Sequence, residues 1–166
     1  ASVGDRRKEY IREAVEYAMT DYNNSVFYDS KRNEYMREKI YSMLERTAWA
    51  LGKQTQAGSF VPEKFEVTFD ELEGKESLEY RLSHDVTMRL EGRIDRLDTF
   101  EDENKISIKV IDYKSGNTKF DLIRVYRGLQ LQLVVYMNAA LELEAKKHPG
   151  KQAVPAGMFY YHIDDP

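Results

Sequence analysis

Val86-Thr87-Met88-Arg89-Leu90-Glu91-Gly92-Arg93-Ile94-Asp95-Arg96-Leu97-Asp98-Thr99 and Lys105-Ile106-Ser107-Ile108-Lys109-Val110-Ile111-Asp112-Tyr113 decide the fold. Both runs alternate apolar with polar positions, and the second is rich in β-branched residues. The acidic segment Phe100-Glu101-Asp102-Glu103-Asn104 joins them. Two β-rich arms around a polar tip predict a hairpin. On the amino-terminal side, Phe65, Val67 and Phe69 alternate with Lys64, Glu66, Thr68 and Asp70, which predicts a half-buried strand, with a short strand around Leu78 to Leu82. On the other side a helical pattern runs from about Asp121 to Lys147, with Gly128 as a break or close-packing point. Pro149-Gly150 ends it, and Ala156 to Ile163 reads as a last buried strand.

The amino-terminal third is helical. Tyr10, Ile11, Ala14, Val15, Ala18 and Met19 form an i, i+3, i+4 stripe from about Asp5 to Tyr22, broken by Asn23-Asn24. A longer helix starts after Asp29 or Ser30, either a suitable N-cap, and runs toward Gly52 or Gly58. Its stripe is Tyr35, Ile40, Met43, Leu44, Thr47, Ala48 and Leu51, and packing against a sheet is the plain expectation for both helices. The order α-α-β-β-β-α-β predicts an α/β fold with a mixed sheet flanked by helices, in one domain over residues 1–166.

Composition narrows the function. The net charge of −4 (25 Lys plus Arg against 29 Asp plus Glu) rules out a nucleic-acid coat held by overall charge, so any DNA contact needs a local basic surface. Zero cysteine removes disulfides, thiolate zinc sites and cysteine nucleophiles together. Three scattered histidines, His84, His148 and His162, make no histidine cage, so a metal here must be hard and oxygen-bound. The longest apolar run, Leu133 to Met137, is far short of the ~20 residues of a membrane span. With no basic-plus-apolar leader at Ala1, a cytoplasmic location is expected.

Folding the hairpin about residues 102 and 103 puts Asp112 opposite Arg93 and Val110 opposite Asp95. The two aspartates become diagonal neighbours roughly 7–8 Å apart, and Lys114 projects from the Asp112 face. Carboxylates at that spacing can share a Mg²⁺ ion. Strict alternation from Val86, Met88 and Leu90 puts Asp95 on the wrong face, so a one-residue bulge near Gly92 is expected. In a chain that is 33% charged, Asp95, Arg96 and Lys114 also fit surface ion pairs at a sheet edge. Against that, Asp112 ends an apolar run, where an unpaired carboxylate is costly, and the Ser115-Gly116-Asn117 turn opens the strand end to a ligand.

Downstream, Gln132 and Tyr136 stand four apart on one helix face. Gln132 borders an apolar stripe of Leu129, Leu133, Tyr136 and Ala140, either as a core-edge glutamine or facing the hairpin carboxylates. Lys114, Lys119, Arg124 and Arg127 face a single acid, Asp121, between residues 114 and 127. That local excess suits a phosphate backbone, and a solvated loop fits those residues as well.

Gly92-Arg93-Ile94-Asp95-Arg96, Val110-Ile111-Asp112-Tyr113-Lys114-Ser115-Gly116 and Gly128-Leu129-Gln130-Leu131-Gln132-Leu133-Val134-Val135-Tyr136 occur in an order and spacing that resembles the RecB-like branch of the PD-(D/E)XK nucleases. Within it the chain is similar to the C-terminal nuclease domain of AddB-type proteins. Ser30 to Tyr35, Phe60-Val61-Pro62 with Phe65-Glu66, and Pro155 to Tyr160 extend the likeness. The resemblance implies a restriction-endonuclease-like fold and Mg²⁺-dependent (or Mn²⁺-dependent) exonucleolytic hydrolysis of DNA in double-strand-break processing, beside an AddA-like helicase–nuclease partner. It implies that Asp95, Asp112 and the Tyr113 carbonyl bind metal, that Lys114 orients the attacking water or stabilises phosphate charge, and that Gln132 and Tyr136 form the family's Q-x-x-x-Y motif. Lys119, Arg124 and Arg127 are then the DNA-contacting cations.

Three departures stand out. Ile94 replaces the proline of the family name, no histidine precedes His84 where relatives carry a further metal ligand, and no cysteine is present for an iron–sulfur cluster. The abrupt ends at Ala1 and Pro166 are those expected of a piece of a larger helicase–nuclease polypeptide. A catalytically silent DNA-binding or scaffolding domain of the same fold is the alternative, and a small protein-interaction module with structural carboxylates is a third.

Overall fold

The computed structural model describes residues 3–21, 31–68, 78–81, 85, 87–90, 92–116 and 119–163. The elements are α1 (Val3–Asp21), α2 (Lys31–Ala57), β1 (Val61–Thr68), β2 (Leu78–Arg81), β3 (Thr87–Leu90), β4 (Arg93–Glu101), β5 (Lys105–Lys114), α3 (Leu122–Tyr126), α4 (Gln132–Lys147) and β6 (Gln152–His162). The expected helix break at Asn23-Asn24, the caps at Asp29 and Ser30 and the Val86, Met88 and Leu90 face lie outside the described residues or side chains. Among the described residues no helix is long and apolar enough to cross a membrane.

The chain divides into two compact units, residues 1–58 with 163–166, and residues 59–162. In the first, α1 and α2 pack on each other through Val15, Met19 and Tyr41, with Ile11, Ile40 and Leu44 around them. The Tyr41 hydroxyl donates to Glu16 Oε1 at 2.5 Å, so its polar end is satisfied as its ring is buried. Tyr10 and Tyr35, placed on the apolar stripes by periodicity, are exposed instead. A phenol tolerates water where Val15 and Met19 do not.

The second unit is built on a four-stranded sheet of order β1-β4-β5-β6. β4 pairs antiparallel with β1 and β5, while β6 runs parallel to β5. A parallel neighbour needs a crossover, and α3 and α4 supply it. Leu133, Tyr136, Met137, Ala140 and Leu143 of α4 meet Leu97, Ile108 and Val110 in one core with Val67 and Ile94. This is the mixed α/β architecture expected from the order of elements, with a β2–β3 ribbon as a separate two-stranded sheet.

Four boundaries differ from expectation. The long first arm is two strands: β3 pairs with β2, and β4, beginning after Gly92, pairs with β1 and β5. A change of partner at Gly92 therefore replaces the single bulge. The long helix is also two, because Gly128 takes φ 73° and ends α3. Leu129 consequently leaves the apolar stripe and is exposed. Strands β1 and β6 start earlier than predicted, at Val61 and Gln152, each taking a proline into an edge strand, where its missing N–H is tolerated. Finally, Phe65 is 61% exposed although Val67 is 1% exposed. Glu66 between them has φ 54°, and this left-handed residue interrupts the alternation.

Candidate active site

The hairpin register sets the site. Asp102 Oδ1 accepts from the Asn104 and Lys105 amides at 2.8 and 2.7 Å, and the Asp102 N–H reaches the Lys105 carbonyl at 2.9 Å. That turn aligns Glu101 with Ile106, Leu97 with Val110 and Arg96 with Ile111. The register is two residues away from the expected fold about 102 and 103. Continued one residue beyond the Arg96–Ile111 pair, that register sets Asp95 against Asp112 rather than diagonal to it, and Asp95 reaches the adjoining Tyr113 amide. Residues directly across an antiparallel pair share a face, so both carboxylates lie on the side of Leu97 and Val110.

Each carboxylate is held differently. Asp95 Oδ2 accepts the Tyr113 amide at 2.7 Å, so the main chain of β5 fixes it. Asp112 is 2% exposed, and Lys114 Nζ stands 2.6 Å from its Oδ2. Burial pushes the Asp112 carboxyl above its ordinary value, and the nearby Asp95 charge adds to the rise against the opposing ammonium. Burial also works to lower Lys114, but the Asp112 carboxylate outweighs it and the ammonium is held above its usual value.

The helix completes the arrangement. Lys114 Nζ donates to Gln132 Oε1 at 3.1 Å, and Gln132 Nε2 donates to the Tyr136 hydroxyl at 2.9 Å. Gln132 therefore faces the hairpin rather than serving only the core edge. Asp112, Lys114, Gln132 and Tyr136 form one continuous polar chain from β5 to α4, with Asp95 across the strand.

Arg96 is not part of it. Alternation turns its side chain to the other face, where Nε binds Asp98 Oδ1 at 2.6 Å and Nη2 binds Oδ2 at 2.8 Å. Lys109 joins the same carboxylate at 3.1 Å. Lys119, Arg124 and Arg127 are exposed on the segment between β5 and α4. Gln130 pins that segment, accepting the Asp121 amide and donating to the Lys119 carbonyl, each at 3.0 Å.

Two neighbours escape sequence reading. The Tyr160 ring centroid lies 5.4 Å from Lys114 Nζ, and His162 Nδ1 is 3.1 Å from the Gly116 carbonyl oxygen. Both come from β6, whose parallel register places Tyr160 beside Asp112 and His162 beside Lys114. Only the aromatic run Phe159-Tyr160-Tyr161 hints at them, and it reads equally as core.

The profile of the PD-(D/E)XK nuclease superfamily matches residues 3–166. The chain belongs to that superfamily. The B-type subunit of the ATP-dependent helicase/deoxyribonuclease of Lachnoclostridium phytofermentans is 42% identical over 99% of this chain and 13% of its own length. Proteins of the same name from Alkaliphilus metalliredigens and Clostridium kluyveri are 36% and 33% identical, over 98% and 96% of this chain and 14% of their own lengths. The chain thus spans about one seventh of these relatives, which bear out the AddB resemblance. Superfamily membership brings with it a nuclease function and a general use of divalent metal ions.

Among the described residues no three His, Asp or Glu side chains converge to hold a metal. The donor set is smaller and hard: the Asp95 and Asp112 carboxylates. Asp112 Oδ2 is buried without a well-angled hydrogen bond and meets Lys114 as an ion pair. One buried and one partly buried carboxylate of like charge fit a small divalent cation that keeps several of its waters.

Proposed function

We propose that residues 1–166 form one metal-dependent deoxyribonuclease domain that hydrolyses DNA phosphodiester bonds exonucleolytically during double-strand-break processing. The single observation that carries this reading is the meeting of Asp95, held by the Tyr113 amide, with Asp112 and its Lys114 ammonium, close enough for the Asp95 charge to act on Asp112.

Asp95, Asp112 and the Tyr113 carbonyl would hold Mg²⁺, with Mn²⁺ as a substitute. When bound, the cation supplies Lewis-acid polarisation of a phosphoryl oxygen and lowers the pKa of a coordinated water. The protein's own residues do the rest. Asp112 anchors Lys114, and Gln132 fixes the ammonium from the opposite side, so one cationic donor stays aimed at the place where phosphate charge develops. The Lys114 ammonium has no acceptor and takes the Gln132 oxygen, which leaves the amide nitrogen to donate to the Tyr136 hydroxyl. Lys119, Arg124 and Arg127 supply a local positive surface for the phosphate backbone in a chain whose net charge is negative. The relatives are named as subunits of a helicase/deoxyribonuclease, and the proposal extends to an AddA-like partner, DNA as substrate and a cytoplasmic setting for this chain.

The test is degradation of a labelled DNA strand in Mg²⁺, with calorimetric Mg²⁺ or Mn²⁺ titration alongside. Asp95→Ala and Asp112→Ala are expected to abolish degradation and weaken ion binding while far-UV circular dichroism is unchanged. Undiminished ion binding in Asp112→Ala would count against the assignment. The exposed cations Lys119, Arg124 and Arg127 also suit one second reading, a DNA-binding scaffold of the same fold that does not cut. Strand binding without cleavage in every metal tested would establish it.

A further inference from the structure

The segment between β5 and α4 is unusual in what it leaves in water. Helix α3 buries none of its five residues. Tyr126 is 92% exposed, Leu122 and Ile123 are largely exposed, and Phe120 is nearly half exposed. The segment is nevertheless ordered. Asp121 caps α3 by accepting the Ile123 and Arg124 amides at 2.8 and 3.2 Å, and Gln130 ties the two ends together. An apolar patch held open on a fixed scaffold points to something that covers it.

Charge selects the occupant. Lys119, Arg124 and Arg127 are exposed on the same 13-residue stretch from Lys119 to Leu131, and its one acid, Asp121, is spent on the cap. A cationic surface interleaved with exposed aromatic rings is the signature of a single-stranded nucleic-acid platform: phosphates meet the cations and unpaired bases stack on the rings. Position agrees. The Phe120 ring lies 6.3 Å from that of Tyr160, which in turn lies 5.4 Å from Lys114 Nζ. Aromatic contacts therefore run from this segment to the polar chain of the site.

We propose that residues 119–131 form a base-stacking platform for single-stranded DNA, with Tyr126 and Phe120 as the rings and Lys119, Arg124 and Arg127 as the phosphate contacts. This deepens the nuclease reading and rests on it for the identity of the ligand. A duplex hides its base faces, so the platform discriminates in favour of unpaired strands.

The test is fluorescence anisotropy of the 166-residue chain in EDTA with a labelled mixed-sequence strand of about 20 nucleotides, longer than one stacking site, and the matching duplex. Tyr126→Ala and Phe120→Ala are each expected to weaken single-strand binding roughly five- to a hundredfold, Tyr126→Phe to restore it, and duplex binding to change little. In Mg²⁺ the same variants should raise the DNA concentration for half-maximal degradation and leave the saturating rate unchanged. The proposal is overturned if the alanine variants bind the strand as the unaltered chain does, if they lose duplex and single strand equally, or if the unaltered chain binds no strand. It is equally overturned if strand binding is unchanged while Tyr126→Ala releases an AddA-like partner protein, which would make the patch a protein interface. Loss of degradation in Asp112→Ala is scored separately, so the platform can fail with the nuclease reading intact.

Discussion

Lys114 Nζ sits between Asp112 Oδ2 at 2.6 Å and Gln132 Oε1 at 3.1 Å, so a strand residue and a helix residue hold one ammonium from two sides. Replacing it by Lys114→Met keeps the stem and removes the charge. Strand degradation is expected to fall by about 100-fold or more, the scale of losing one aimed electrostatic donor. The chain should stay folded, with the urea midpoint lowered by the equivalent of about 1–3 kcal/mol because buried Asp112 loses its cation. Full activity in this variant would remove Lys114 from the chemistry.

Gln132 positions that ammonium. A Gln132→Ala, Lys114→Met double-mutant cycle on degradation is expected to show coupling of about 0.5–3 kcal/mol. Additive effects would mean that the 3.1 Å contact does not matter in turnover.

Behind the site, Glu144 is fully buried on α4 and binds Lys147 Nζ at 2.7 Å, which also reaches Glu63 on β1 at 3.0 Å. Lys147→Met is expected to destabilise the chain by about 1–3 kcal/mol, less than a wholly buried pair because Lys147 and Glu63 are partly solvated. Equilibrium urea unfolding measures it.

The same cluster gives an acid-limb prediction. Burial works to raise the Glu63 carboxyl, but hydrogen bonds from Lys147 and Thr99 outweigh it and hold it below its ordinary value. A carboxyl depressed in the folded state contributes stability that is present above its unfolded pKa and lost as pH falls through the lower folded value. Glu63→Gln should therefore lower stability near neutrality and flatten its decline on acidification. Parallel stability–pH curves for the two proteins would refute this.

In the core, Leu97 and Ile108 are fully buried beneath α4. Leu97→Ala or Ile108→Ala is expected to cost about 2–5 kcal/mol in chemical denaturation, the range for truncating a packed aliphatic side chain.

How much of this is legible in the sequence varies residue by residue. Alternation along Ile106, Ile108 and Val110 locates the buried face of β5, and the order of elements locates the crossover helix. Register is not legible, because it turns on Asp102 capturing two amides, and that pairs Glu101 with Ile106 instead of tightening the tip. The four-residue spacing of Gln132 and Tyr136 indicates a shared helix face, but the contact of that face with Lys114 is tertiary and has no local pattern. Tyr160 and His162 are invisible because parallel pairing joins residues about 48 positions apart, and no local pattern encodes that distance. Arg96 reads as a surface cation because a salt bridge between buried partners looks the same in one dimension as one in water.

Asp95 is aimed by the Tyr113 amide, a group that every amino acid except proline carries. The phenol at position 113 has separate partners, Arg96 and the Tyr161 ring, so the hold on Asp95 does not pass through that side chain. A motif written in side-chain letters overlooks this kind of constraint: part of its geometry is stored in the peptide unit, and sequence drift at such a position says little about whether the centre survives.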